Sequence, residues 1–149
     1  MRDVSAPDAQ IQALLDERGI LDTLNRYCRA LDEGIAAEWE AIFTDDAVFD
    51  TILPDGQVWA HLTTRDEFRA FLAAYPRQPA TAPKHVMVNP VIELDGDEAS
   101  VRATFLYLNQ SPGAAPELSA WGHYRDRLRK VDGRWRFSSR WCETEAKAD

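Results

Sequence analysis

Asp32 and His85 are the residues of this chain whose types and settings best suit proton transfer. The sequence pattern puts Asp32 in the last turn of a helix, facing the negative end of the macrodipole, a placement that costs about 0.3 kcal/mol or more. A carboxylate held there usually has a task; the plain alternative is a side chain frayed into solvent beside Glu33. Histidine is the side chain best matched to accepting a proton near neutral pH. His85 opens the β-rich run HVMVNPVIEL, in which His85, Met87, Asn89 and Val91 share one face and Val86, Val88 and Ile92 the other. Its plain alternative is a surface histidine following Pro83 and Lys84. A carboxylate bonded to one ring nitrogen would fix the tautomer of such a base and stabilise the imidazolium as it forms. Such a pair suits chemistry that begins with removal of a proton from carbon, which needs a base near neutral pKa and a way to stabilise developing negative charge.

The elements that must position these residues are legible in outline. Ser5, Pro7 and Asp8 make a helix start, followed by Ile11, Leu14, Leu15, Leu21, Leu24, Tyr27, Cys28 and Leu31 at three- and four-residue spacing. Gly19 predicts a break near 18–20, and Gly34 marks the helix end. A short helix over about 37–43 leads into the strand AVFDTIL, which a Pro54-Asp55-Gly56 turn folds back onto QVWAHL. Thr64 with Glu67 reads as a capping box for a helix running to about Tyr75. From Lys84 onward four long strands, separated by DGDE, SPGAAPE and DGR, read as an antiparallel meander, with Pro90 implying an edge or a bulge. Helices followed by a long sheet predict an α+β fold in one domain spanning 1–149, with 1–7 and 146–149 frayed. A strongly bent sheet wrapped round the first helix would leave a cavity for a ligand.

Composition narrows the partners. A net charge of -8, from 25 acidic and 17 basic residues, disfavours nucleic acid and anionic membrane and points to a small molecule. The late arginines, including Arg125, Arg127 and Arg129, fall on one strand face and read as solvated. Cys28 and Cys142 read as small buried thiols in a reducing cytoplasm; no secretory leader or membrane span is expected. His61, His85 and His123 have no metal-binding spacing, and glycine-rich phosphate loops are absent, so cofactor-free chemistry is expected.

The segments LNRYCRALDEG, EWEAIFTDDAVFD, APKHVMVNP and RKVDGRWRFSSR, in this order and spacing, resemble the SnoaL-like, or nuclear transport factor 2-like, superfamily over nearly the whole chain. That resemblance implies a cone-shaped, highly curved antiparallel sheet around N-terminal helices, the cystatin-like fold. The closest pattern is that of scytalone dehydratase, hexachlorocyclohexane dehydrochlorinase and bile acid 7α-dehydratase, whose aspartate–histidine pair falls on Asp32 and His85. The bile acid enzyme's tyrosine and arginine fall on Tyr27 and Arg140. Tyr27, however, lies on the helix's buried stripe, about 140° round an ideal helix from Asp32, so the two converge only if the helix loosens near Ala30. Arg140 shares parity with Arg134 and Arg136, and plain alternation leaves it exposed unless a bulge intervenes. The resemblance implies a cofactor-independent lyase acting on a hydrophobic cyclic substrate, in a homodimer or homotrimer packed through the sheet. Two alternatives share the fold: an isomerase or polyketide cyclase with Asp50 as base, and a non-catalytic binder or dioxygenase β-subunit-like accessory protein.

Overall fold

The computed structural model describes residues 6–77 and 82–148. Helix α1 spans Ala6–Glu33, α2 Ala36–Ala41 and α3 Arg65–Ala74. The strands are β1 (Phe43–Ile52), β2 (Val58–Leu62), β3 (Lys84–Asp95), β4 (Glu98–Asn109), β5 (Glu117–Val131) and β6 (Arg134–Lys147). They form one curved six-stranded sheet in the order β2-β1-β6-β5-β4-β3, carrying the helices. The meander is antiparallel as expected, but β1 joins it parallel to β6, so the sheet is mixed.

Helix α1 is continuous through Gly19, against the predicted break. Trp135 explains the glycine: a Cβ there would lie 2.9 Å from its indole Cδ1, so close packing against β6 excludes a side chain. The helix ends where expected. Gly34 is left-handed at φ 71° and Ile35 N–H donates to the Ala30 carbonyl at 3.0 Å, the Schellman closure. Ser5 lies outside the described residues. Ile20, Leu24, Tyr27 and Leu31 are buried along one stripe and meet Trp39, Phe43, Phe49 and Phe137 in an aromatic core. The Thr64–Glu67 capping box forms and starts α3.

Bulges decide which side chains reach the interior. In β3 the pairing register shifts between Val88 and Val91, where Asn89 has φ 55°. Inward parity therefore passes from His85 and Met87 to Ile92 and Leu94, leaving Val91 exposed, although uninterrupted alternation grouped it with His85. Pro90 sits at this bulge on an edge strand, meeting both expectations at once. In β6 the register against β5 skips Ser138, so buried parity changes from Trp135 and Phe137 to Arg140 and Cys142. Strand β6 also runs through 146–147, predicted to fray, because Lys147 pairs with Ala120 and Ala148 N–H donates to the Ser119 carbonyl. Among the described residues no helix is long and apolar enough to cross a membrane.

Candidate active site

The last turn of α1 meets the start of β3 through two groups of one residue. The Asp32 carboxylate accepts from the His85 backbone N–H, with its oxygens at 2.9 and 3.2 Å. It also stands 2.6 Å from His85 Nδ1. Both side chains are nearly buried, 7% exposed for Asp32 and 10% for His85. A carboxylate acceptor requires the proton on Nδ1, which leaves the lone pair on Nε2. Nε2 lies 3.3 Å from the Tyr75 hydroxyl, and the Tyr107 ring packs 4.8 Å from the imidazole. The unfavourable dipole setting of Asp32 is offset locally, since Arg77 Nε donates to the Leu31 carbonyl at 2.8 Å and brings a cation to the helix end. Arg77 Nη2 also donates to Leu72 O at 2.8 Å, tying the helix that carries Asp32 to the one that precedes Tyr75.

His85, Tyr75 and Tyr107 line a cavity of 590 Å³ between α1, α3 and the concave face of the sheet. Its walls include Tyr27, Leu31, Phe49, Trp59, Phe71 and Phe105, so it suits an apolar molecule of moderate size. A larger groove of 740 Å³ lies elsewhere, among α1, α2 and the β5–β6 turn. It holds none of the predicted site residues, and most of its charged groups pair with each other: Lys130 Nζ lies 2.6 Å from Asp16, and Arg26 3.0 Å from Glu38. The smaller cavity is therefore the better candidate.

Tyr27 lines the same cavity as His85, yet α1 does not loosen near Ala30. Convergence comes from the sheet: Asp32 reaches sideways to β3, and the imidazole carries its influence inward to the chamber that Tyr27 borders. Arg140 is fully buried rather than exposed, through the Ser138 bulge. Its guanidinium carbon sits 3.9 Å from the Tyr27 ring centroid and 3.5 Å from that of Tyr124, one layer behind the cavity wall. Nε lies 3.2 Å from Asp126 Oδ1, but neither group has a directed hydrogen bond among the described residues. The contact is therefore one of proximity between charges. Burial dominates for Asp126 and pushes its carboxyl up to about 7, against the pull of Arg140. Burial likewise raises Tyr27 and Tyr75 above the ordinary phenol range and Cys142, a cavity-lining thiol, to about 12.

Asp50 does not fit the role of alternative base. It alternates with Phe49 and Thr51, which face the cavity, so it points to the outer side of the sheet and stands 2.6 Å from His61 Nδ1. His123 likewise pairs outside, 2.6 Å from Glu145. Among the described residues no group of three or more His, Cys, Asp or Glu is arranged to hold a metal ion.

A model of the SnoaL-like domain matches residues 12–141. The chain belongs to the SnoaL-like family. Its solved neighbours include Rv3472 of Mycobacterium tuberculosis, described as of unknown function, with 25% identity over 96% of this chain and 78% of the other and a TM-score of 0.75. A putative scytalone dehydratase from Novosphingobium aromaticivorans shares 24% identity over 94% and 91% of the two chains, TM-score 0.74. The β subunit of a putative aromatic-ring-hydroxylating dioxygenase from the same organism shares 20% over 91% and 93%, TM-score 0.78. These last two likenesses establish the fold. Curated protein sequences give no match.

Four residues of this SnoaL-like domain escape sequence reasoning. Tyr75 is the C-cap of α3 and Arg77 follows it, in a stretch with no periodic pattern. Tyr107 was legible as a strand aromatic but not as a neighbour of His85, 22 residues earlier by number. Asp126 carried the one available signal: an acid at an otherwise apolar parity, flanked by Tyr124 and Leu128.

Proposed function

We propose that this protein is a cofactor-independent lyase that dehydrates a hydrophobic cyclic small molecule. The observation carrying the reading is the Asp32–His85 Nδ1 contact of 2.6 Å, with Nε2 of the same ring at the wall of an apolar cavity. His85 Nε2 takes a proton from carbon; the C–H electrons form the double bond as the C–O bond breaks. The departing hydroxide takes up a proton from imidazolium or from Tyr75 and leaves as water. Asp32 is the positioning residue that keeps the proton on Nδ1 and stabilises the imidazolium. Tyr27 polarises the substrate oxygen from the wall, and Arg140 acts through it, since the guanidinium stacks behind that ring rather than entering the cavity. The likeness to a putative scytalone dehydratase agrees in fold with this chemistry. A base at Asp50 is disfavoured by its outward orientation, and an accessory role by the presence of a roomy interior chamber. Self-association through the outer sheet face, which exposes Val91 and Trp121, belongs to the same reading.

The test is turnover of a panel of polyketide-like, steroid-like and halogenated cyclic compounds by wild type and His85→Ala. Water loss from an oxygenated substrate, reduced about 10²-fold or more in the variant, is expected for a lost general base. Equal turnover by the two proteins, or chloride release in place of water loss, refutes the proposal.

A further inference from the structure

The inner face of the sheet is laid out in transverse rows. His85, Tyr107, Ala120 and Lys147 form the row nearest solvent, and Met87, Phe105, Gly122 and Thr144 the next. Ala103, Tyr124, Cys142 and Thr51 form the third row, and Val101, Asp126, Arg140 and Phe49 the fourth. The cavity runs from the first row to the third and touches Phe49 of the fourth: exposed Glu117 and Lys147 border it at one end, Tyr124, Cys142 and Thr51 at the other.

The third row carries polar atoms that the fold does not use. Tyr124 Oη and Thr51 Oγ1 are both out of solvent and have no hydrogen-bond partner among the described residues, and Tyr124 is 0% and Thr51 8% exposed. A buried hydroxyl left unmatched is costly, and both belong to residues that line the cavity. Tyr124 is further prepared as a donor. The Arg140 guanidinium lies 3.5 Å behind its ring and draws electron density from it. Burial meanwhile keeps the phenol protonated. The third row is four residues along β4 from the His85 row, about 13 Å at ordinary strand rise. A rigid ligand that touches both rows must therefore be longer than a single six-membered ring, and a fused bicycle is the smallest such frame.

We infer that Tyr124 and Thr51 form a deep polar subsite that binds an acceptor oxygen at the far end of a fused bicyclic ligand, opposite the end that meets His85. The inference rests on the reading of this cavity as the substrate site and narrows its substrate to a doubly oxygenated ring system, in preference to a hydrocarbon or a halocarbon.

The probe pair is 2,6-dihydroxynaphthalene, with oxygens at opposite ends, against 2-naphthol, titrated calorimetrically into the full chain. Wild type should bind the diol about tenfold more tightly, the worth of one matched buried hydroxyl. Tyr124→Phe and Thr51→Val keep the side-chain shapes; combined, they should bring that ratio near one while melting no lower than wild type, since each removes an unmatched group. His85→Ala should retain the ratio. A wild-type ratio near one, no binding of the diol, or an unchanged ratio in the double variant overturns the subsite. A domain that turns over nothing yet keeps the ratio refutes the lyase reading alone.

Discussion

Replacing Asp32 by asparagine sets two hydrogen bonds of one residue against each other. Oδ1 stands 2.6 Å from His85 Nδ1, while Oδ2 accepts from the His85 backbone N–H at 2.9 Å. The amide has one acceptor, so one of these contacts must receive the NH2 group. If that group faced the backbone N–H, two donors would oppose each other with no relief. If it faces Nδ1, the imidazole can respond by moving its proton to Nε2. The second arrangement should win, and Asp32→Asn should therefore convert His85 to the wrong tautomer, with Nε2–H pointing at Tyr75 and no lone pair for substrate. The same inversion in a serine-protease triad lowers kcat about 10⁴-fold, and a fall of about 10³ to 10⁴ is expected in turnover here. Stability should drop as well. Charge-assisted bonds are worth about 1.5 to 3 kcal/mol against about 0.5 to 1.5 for neutral ones, so the loss over two contacts is about 2 kcal/mol. Long-range ¹H–¹⁵N spectra of histidine-labelled protein read the tautomer directly, with His85→Gln identifying the signal among the three histidines. A variant that keeps Nδ1–H, or one whose turnover falls less than tenfold, would falsify the orienting role of Asp32.

The buried acid should shape pH-dependent stability: with Asp126 raised from 3.8 unfolded to about 7 folded, the folded state holds a proton that the unfolded chain releases between those values. Its contribution is complete below about pH 4 and lost as pH rises to about 7, a fall of order 4 kcal/mol. Urea midpoints from pH 4 to 8 should show that decline in wild type and lack it in Asp126→Asn; parallel profiles would contradict it. Gly122→Ala should be far more damaging than an ordinary glycine replacement, because the new Cβ would meet the Glu143 carbonyl and lie 2.7 Å from the Phe105 ring. A loss of about 3 kcal/mol or more is expected, and one below about 1 kcal/mol would show that the β5–β6 pairing yields easily.

What the sequence determined by itself is local. Thr64 and Glu67 start α3 because their bonds close within one turn, Gly34 ends α1 because its φ of 71° favours glycine, and Pro90 marks the bulged edge because it cannot donate. The α1 stripe and the strand runs likewise follow from periodicity, and with them the α+β class. Asp32 and His85 could be singled out by type, helix position and family pattern, although 53 residues separate them. Tertiary structure decided which side of the sheet each remaining residue serves. A one-residue bulge reverses every later side chain on its strand; Pro90 announces the one in β3, but nothing at Ser138 announces the one in β6, and Arg140 thus turns inward against plain alternation. Asp50 turns outward with His61, and Asp126 lies in a charged-looking strand yet faces Arg140 in the core. Tyr75 joins His85 only because the sheet curves its edge strand back towards the end of α3, and Tyr107 because β4 pairs with β3 in the register that sets the two residues opposite each other. Those placements depend on pairing between distant segments, for which the free energy lies in the packed sheet rather than in any single stretch of chain.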